Sequence, residues 1–323
     1  MNYSVDNTTS NPTSNLSAEL LDCSLPIAHG IALISTNAIV GVLGTLGNLL
    51  VCVAVVTNRR LRRPSNYLLF SLAIADLIVT MVCEPLVVAI LANITFFNDC
   101  AANLEHLFKI FSRLSCAASV VHMAAISVDR FIAIVYPLHY KSILKSYGLK
   151  ALLITSWIFP MTAPVLGAVV PENFPKGFLG LGMFALSYAT VFMCYSLIVI
   201  SLAKHRKERN QLRAARSSRD FSQSRRSVEV RVAFTLAIVI VVFTVSWFPL
   251  VATFFATGKL LVKSQGIAYM WIRTLGLSNS AMNFLIYGAR MRSFREAFAA
   301  IGRKYYRGVL NLKFSRTRSH NLT

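Results

Sequence analysis

The residues able to do chemistry are few, and most of them stand inside long apolar runs. Asp76 sits in Ser71-Leu-Ala-Ile-Ala-Asp-Leu-Ile-Val79, Asn48 in Gly44-Thr-Leu-Gly-Asn-Leu-Leu-Val51, and Asn279, Ser280 and Asn283 in Leu277-Ser-Asn-Ser-Ala-Met-Asn-Phe-Leu-Ile-Tyr287. Ser119 lies in the middle of another such run. An ionisable group in an apolar span is costly, and a lone buried carboxylate needs a partner or a cation. Oxygen ligands from Asp76, Ser119, Asn279, Ser280 and Asn283 would suit a small hard cation such as Na⁺, or an ordered water cluster. The plainer alternative is polar glue between helices; for Asn48 taken alone the two readings weigh equally. No residue set is arranged for covalent work on a substrate, so an enzyme is not expected. No Cys/His group has metal-ligand spacing, and His122 reads as a lone packing or membrane-facing histidine.

These residues need elements that can hold them in lipid. Of 323 residues 55% are apolar and only 14% charged, and the mean hydropathy is +0.57. A soluble domain carries about a quarter charged residues, which excludes an ordinary cytosolic enzyme, a disordered chain and a disulfide-stapled secreted domain. A helix needs about 20 apolar residues to cross the hydrocarbon core. Seven stretches qualify, near 31–57, 66–92, 104–136, 149–170, 178–203, 231–256 and 264–288. The third is the least clean, with Lys109, Arg113 and Asp129 inside it or at its ends, and its length fits one tilted helix. Lipid cannot satisfy backbone polar groups, so every span is predicted to be helical. The expected fold is all-α, a seven-transmembrane helix bundle.

The charge then sets the orientation. Lys and Arg number 33 against 13 Asp and Glu, a net +20. Segments 58–65, 137–150, 204–231 and 289–323, with the end of the third span, carry 27 basic and 5 acidic residues; the opposite side carries 6 and 7. Positive residues stay in the cytoplasm, which predicts an extracellular N-terminus and a cytoplasmic C-terminus. The excess is therefore a topology signal, and no nucleic-acid partner is expected. Residues 1–30 lack the basic start and apolar core of a signal peptide. They read as an extracellular disordered tail with acceptor sequons at Asn2, Asn7 and Asn15.

Motifs in register on these spans resemble the rhodopsin-like (class A) G-protein-coupled receptors. They are Gly47-Asn48, Leu72-Ala-Ile-Ala-Asp76, Asp129-Arg130-Phe131, Trp157, Trp247-Phe-Pro249 and Asn283-Phe-Leu-Ile-Tyr287, one per span over roughly residues 31–302. The resemblance implies that Asp129 holds Arg130 and that Glu229 closes an inter-helix lock on the same arginine. Phe131 replaces the usual Tyr, and Leu138 resembles the apolar knob that enters a G protein. Trp247 and Pro249 resemble a rotamer-and-kink pair beneath the ligand, with Phe243 as a core switch one turn below. Tyr195 and Tyr287 match two tyrosines that meet near the arginine in active receptors. Asn48, Asp76, Ser119, Asn279, Ser280 and Asn283 match a sodium and water network, so an allosteric sodium ion at Asp76 is the one cofactor considered. Residues 289–302, with Arg292, Phe294, Arg295 and Phe298, read as an amphipathic helix on the inner leaflet, and 303–323 as a basic cytoplasmic tail.

Three departures stand out. Glu105 occupies the position of the usual cysteine at the top of span three, and Cys23 and Cys100 are left to face the exterior, where they could pair. Ser187 replaces a proline in span five, and Phe284 one in span seven. The first two departures are shared with the melanocortin, cannabinoid and lysophospholipid branch. Candidate ligand-pocket residues are Glu84, Lys109, Ser112, Arg113, Cys116, Leu250, Phe254 and Arg273. Ser112 stands where amine receptors carry an aspartate, which favours a peptide or lipid ligand; alternatively Lys109 and Arg273 snorkel to the surface and bind nothing. Expected partners are an extracellular ligand, a heterotrimeric G protein, arrestin, a receptor kinase and membrane lipids, at the plasma membrane. The competing functions are an ion-coupled transporter relaying through Asp76 and a decoy receptor that binds without signalling. A transporter should show repeat symmetry and broken helices, and the sequence has no internal repeat.

Overall fold

The computed structural model describes residues 24–144, 146–169, 177–213, 220–257 and 266–320. Side chains at 141, 146, 163–169, 177–179, 205–213, 220–229, 254–257 and 308–320 lie outside the described set. Eight long helices follow in order: α1 Ile27–Thr57, α2 Pro64–Phe97, α3 Ala102–Val135, α4 Ser146–Val169, α5 Gly177–Arg213, α6 Asp220–Thr257, α7 Ile267–Arg290 and α8 Arg292–His320. No strand occurs among the described residues. The fold is a bundle of seven spanning helices with a further helix after the seventh.

The inward face of α1 shows how the bundle closes. The helix holds no charge, so apolarity cannot choose its buried side. Size and polarity choose instead: Asn37, Gly41, Gly44, Gly47 and Asn48 are buried, while Ile39, Val42, Leu43 and Leu46 face outward. Small residues let backbones approach where lipid provides no hydrophobic drive. A side chain added at Gly47 would overlap the Phe284 ring, so the Phe that replaces a proline in α7 is seated in a glycine notch of α1.

Helix α3 is the central post. It packs on α2, α4, α5 and α6, and 78% of its apolar window is buried, against 22% for α5 and 28% for α6. By length and composition five segments are apolar enough to cross a membrane: α1, α2, α3, Gly180–Lys204 of α5 and Val230–Thr253 of α6. Helix α7 is more polar because Arg273, Asn279, Ser280 and Asn283 all turn into the bundle.

Several boundaries differ from the sequence expectation. Helix α1 begins at Ile27, inside the segment expected to be disordered. Helix α5 continues to Arg213 and α6 starts at Asp220, so much of the basic loop 204–231 is helical extension. Helix α8 runs to His320 rather than ending at 302; no proline interrupts it, and its late basic residues suit a helix C-terminus. Ser187, in place of a proline, leaves α5 unbroken and donates to the Met183 carbonyl within the helix at 2.9 Å. Helix α2 instead carries two π turns, Val79–Cys83 and Asn93–Phe97. It ends at Asn98, whose left-handed φ of 51° an asparagine tolerates.

Candidate functional site

At one end of the bundle four residues from α2, α3 and the turn after α3 meet. Asp129 and Arg130 are 0% and 2% exposed. Arg130 Nε donates to Asp129 Oδ2 at 2.8 Å, and its Nη2 reaches both Asp129 and Ser65 Oγ. Tyr140, at the start of the short helix Tyr140–Ile143, donates to Asp129 Oδ1 at 3.0 Å and lies 3.1 Å from Ser65 Oγ. Burial, with the Asp129 carboxylate second, pushes the Tyr140 hydroxyl up to about 12, so it stays a donor at physiological pH. Buried ions persist only when their remaining hydrogen-bonding groups are met, and this cluster meets them.

Other residues expected at this end divide. Leu138 is 91% exposed, an apolar knob on the surface. Phe131 packs edge-on against Tyr136, with ring centres 5.8 Å apart. The Tyr195 hydroxyl donates to the Ala233 carbonyl of α6 at 3.2 Å, while buried Tyr287 stacks near Phe294 of α8 at 5.7 Å and its hydroxyl has no partner. The two tyrosines therefore serve different contacts in this conformation. The side chains of Glu229 and Phe254 lie outside the described set, and Cys23, Asn2, Asn7 and Asn15 lie outside the described residues.

In the middle of the bundle, Asn48, Asp76, Ser119, Asn279, Ser280 and Asn283 are all buried. Asn283 Nδ2 donates to Asp76 Oδ2 at 2.7 Å. Asn48 Nδ2 donates to the carbonyls of Gly44 and Ser280, both at 3.0 Å. These bonds use the amide donors and leave acceptors unmatched: Oδ1 of Asp76, Asn48, Asn279 and Asn283 has no partner. A cluster of buried oxygens short of donors fits a small hard cation. Just above, a small cavity with room for about one water molecule is lined by Ser112, Cys116, Ser119, Phe243, Trp247 and Gly276, among others. Phe243 and Trp247 lie 6.0 Å apart, and Trp247 packs on Gly276 one helix away. Pro249 lies inside α6, where it removes a backbone donor and favours a bend.

The expected pocket residues do not form one wall. Ser112 and Cys116 line the cavity, which among the described residues draws on α2, α3, α6 and α7. Leu250 is half-buried and Arg113 exposed, and neither lines it. Arg273 and Glu84 are buried instead, 6% and 1% exposed. Arg273 Nη1 bonds Glu105 Oε2 at 3.0 Å, Lys109 approaches the same carboxylate at 3.8 Å, and the guanidinium lies over Phe108 at 4.9 Å and near Tyr269 at 5.8 Å. Arg273 thus does not snorkel outward; its Nε and Nη2 remain without partners. Cys100 is disulfide-bonded. Cys52, Cys83, Cys116 and Cys194 are free thiols.

Sequence reasoning missed several participants. Tyr140 and Ser65 carried no signal of their own, since each joins the cluster only through tertiary contact. Glu105 had been read only as a missing cysteine. His122 is a packing residue: Nε2 lies 2.8 Å from Ser71 Oγ, Nδ1 2.7 Å from the Ala118 carbonyl, and Trp157 Nε1 donates to the same Ser71 at 2.9 Å.

Comparison with known proteins gives this geometry its class. The sequence family described as 7 transmembrane receptor (rhodopsin family) matches residues 47–176 and 171–287. The chain belongs to that family: it is a multi-pass membrane receptor, not an enzyme. It is similar to the human adenosine receptor A2a (27% identity over 87% of this chain and 74% of the relative) and to rat neuromedin-U receptor 1 (28%, 81% and 71%). Human melanocortin receptor 5 is similar at 26%, over 81% of each chain. These near-equal identities do not single out the melanocortin branch. The structure of squid rhodopsin superposes with a TM-score of 0.70 over 86% of this chain and 81% of that chain at 19% identity, a likeness of fold. The matches are to receptors and lend no support to a transporter.

Proposed function

We propose that this receptor sits in the plasma membrane with its N-terminus outside, binds a ligand at the Arg273 end and activates a heterotrimeric G protein at the Arg130 end. The observation that carries the reading is the sequestered arginine. Arg130 is held by Asp129 and Ser65, with Tyr140 tying the same carboxylate. A cation so enclosed cannot reach a partner, so the arrangement corresponds to a closed state that a ligand must open. Helix α6, which carries Pro249 inside it and is only lightly buried, is the moving lever. Leu138 is the exposed apolar contact for the G protein.

The ligand is a peptide or lipid bearing an anionic group that Arg273 can receive through its two unpartnered nitrogens. Sodium at Asp76, held by the oxygens of Asp76, Asn279, Asn283 and Ser119, would favour the closed state from within. Glycans at Asn2, Asn7 and Asn15, a Cys23–Cys100 bond, and arrestin, receptor kinase and anionic lipid at the cytoplasmic face complete the proposal. The test is nucleotide exchange by purified heterotrimers with the reconstituted receptor. Glu229→Ala should raise basal exchange about fivefold or more, the effect of about 1 kcal/mol on a two-state balance; an unchanged baseline argues against a lock between α3 and α6.

A further inference from the structure

Two turns above Asp76 on α2, Glu84 is 1% exposed and both of its carboxylate oxygens lack a hydrogen-bond partner. Its neighbours are short of donors too. Asn37 of α1, 0% exposed, gives its amide hydrogens to the Leu33 carbonyl at 2.7 Å and Thr274 Oγ1 at 2.9 Å, which leaves Oδ1 unmatched. Thr80 Oγ1, on α2, is buried and unmatched as well.

Gly41 of α1 lets the Glu84 side chain and the Thr80 carbonyl of α2 approach closely. A Cβ built there would lie 3.1 Å from Glu84 Cβ and 3.5 Å from the Thr80 carbonyl oxygen. Asn37 and Gly41 are one turn apart on α1, and Thr80 and Glu84 are four residues apart on α2, so both pairs lie on facing stripes. Between Thr80 and Glu84 the helix is a π turn: the Glu84 N–H bonds the Val79 carbonyl, and Pro85 then offers no donor. Such turns recur at functional sites.

The nearby cation makes no hydrogen bond to Glu84. Arg273 is within electrostatic reach of Glu84, yet its Nη1 is bonded to Glu105 and its face lies over Phe108. Glu84 is thus a buried carboxyl group among neutral oxygen acceptors. The same signature marks Asp76, where the amide oxygens of Asn48, Asn279 and Asn283 are also unmatched. A buried charge must be paired or neutralised, and oxygen-only surroundings with one carboxylate suit a small monovalent cation.

We propose that Glu84, Thr80 and Asn37 form a second sodium site between α1 and α2, stacked above Asp76 on the extracellular side. It extends the reading of Asp76 as a sodium site but is separable from it. The probe is sodium chloride against N-methylglucamine chloride at constant ionic strength, with the thermal midpoint of the full-length receptor in lipid nanodiscs as readout. Asp76→Asn and Glu84→Gln should each keep part of the sodium-dependent rise, and the double variant should lose all of it. Loss of the whole response in Asp76→Asn alone, or a full response in Glu84→Gln, would overturn the second site and leave ordered water there. A response untouched by Asp76→Asn but abolished by Glu84→Gln would uphold the second site and sink the first. Should Glu84→Gln fail to fold, Thr80→Ala serves: half-saturating sodium should rise about tenfold, the equivalent of about 1.4 kcal/mol, and an unmoved value overturns the proposal.

Discussion

Two buried arginines mark opposite ends of the bundle and are held in opposite ways. Arg130, 2% exposed, is met by a carboxylate and a serine hydroxyl, and a tyrosine steadies that carboxylate in turn. Arg273, 6% exposed, has one carboxylate and two aromatic neighbours, and two of its nitrogens have no partner. A buried cation that is met on its donors fixes one conformation. One met in part can accept a guest without first breaking its own bonds. The difference supports the proposal that the Arg130 end is the closed, signalling end and the Arg273 end the receiving one.

The sharpest way to break this contrast is Asp129→Ala. It strands a buried guanidinium from its nearest carboxylate, and loss of one partner of a buried pair costs about 3–5 kcal/mol. The thermal midpoint in nanodiscs should fall accordingly, and a variant as stable as the wild type would mean the pair is not closed. Arg273→Gln should cost less, about 1–2 kcal/mol, because the Glu105 carboxylate it leaves behind is 15% exposed and keeps Lys109 at 3.8 Å, so no fully buried charge is stranded. Equal losses from the two substitutions would erase the distinction between the ends. Tyr140→Phe is the mildest. Losing the hydroxyl that ties Asp129 and Ser65 is worth about 1 kcal/mol, so basal nucleotide exchange should rise about fivefold with a smaller loss of stability than either arginine-pair substitution; a flat baseline would show that Tyr140 does not restrain Arg130.

The sequence made some of this legible and hid the rest for physical reasons. Apolar runs of spanning length, and basic residues gathered on one side of them, follow from lipid alone, so the bundle could be read before any contact was known. Asp76 and its amide neighbours were legible because polar groups are conspicuous in oil. The Glu105–Arg273 bridge joins residues 168 apart, and no periodicity announces such a pairing. Tyr140 became part of the arginine cluster only when the turn after α3 folded back. Phe284 looked like the loss of a kink; its seat in the Gly47 notch appears only when α1 and α7 are placed side by side. Sequence also spread one pocket over eight residues, where packing sends Ser112 and Cys116 to the cavity and Arg273 to Glu105.

The central claim is that Arg130, once released, is the group that engages the G protein. The most direct measurement is basal nucleotide exchange by the reconstituted Tyr140→Phe receptor, with and without Arg130→Ala, at matched receptor amounts. The account predicts that the added substitution returns the raised exchange to the receptor-free rate. Exchange that persists in the double variant at the level of Tyr140→Phe alone would contradict it.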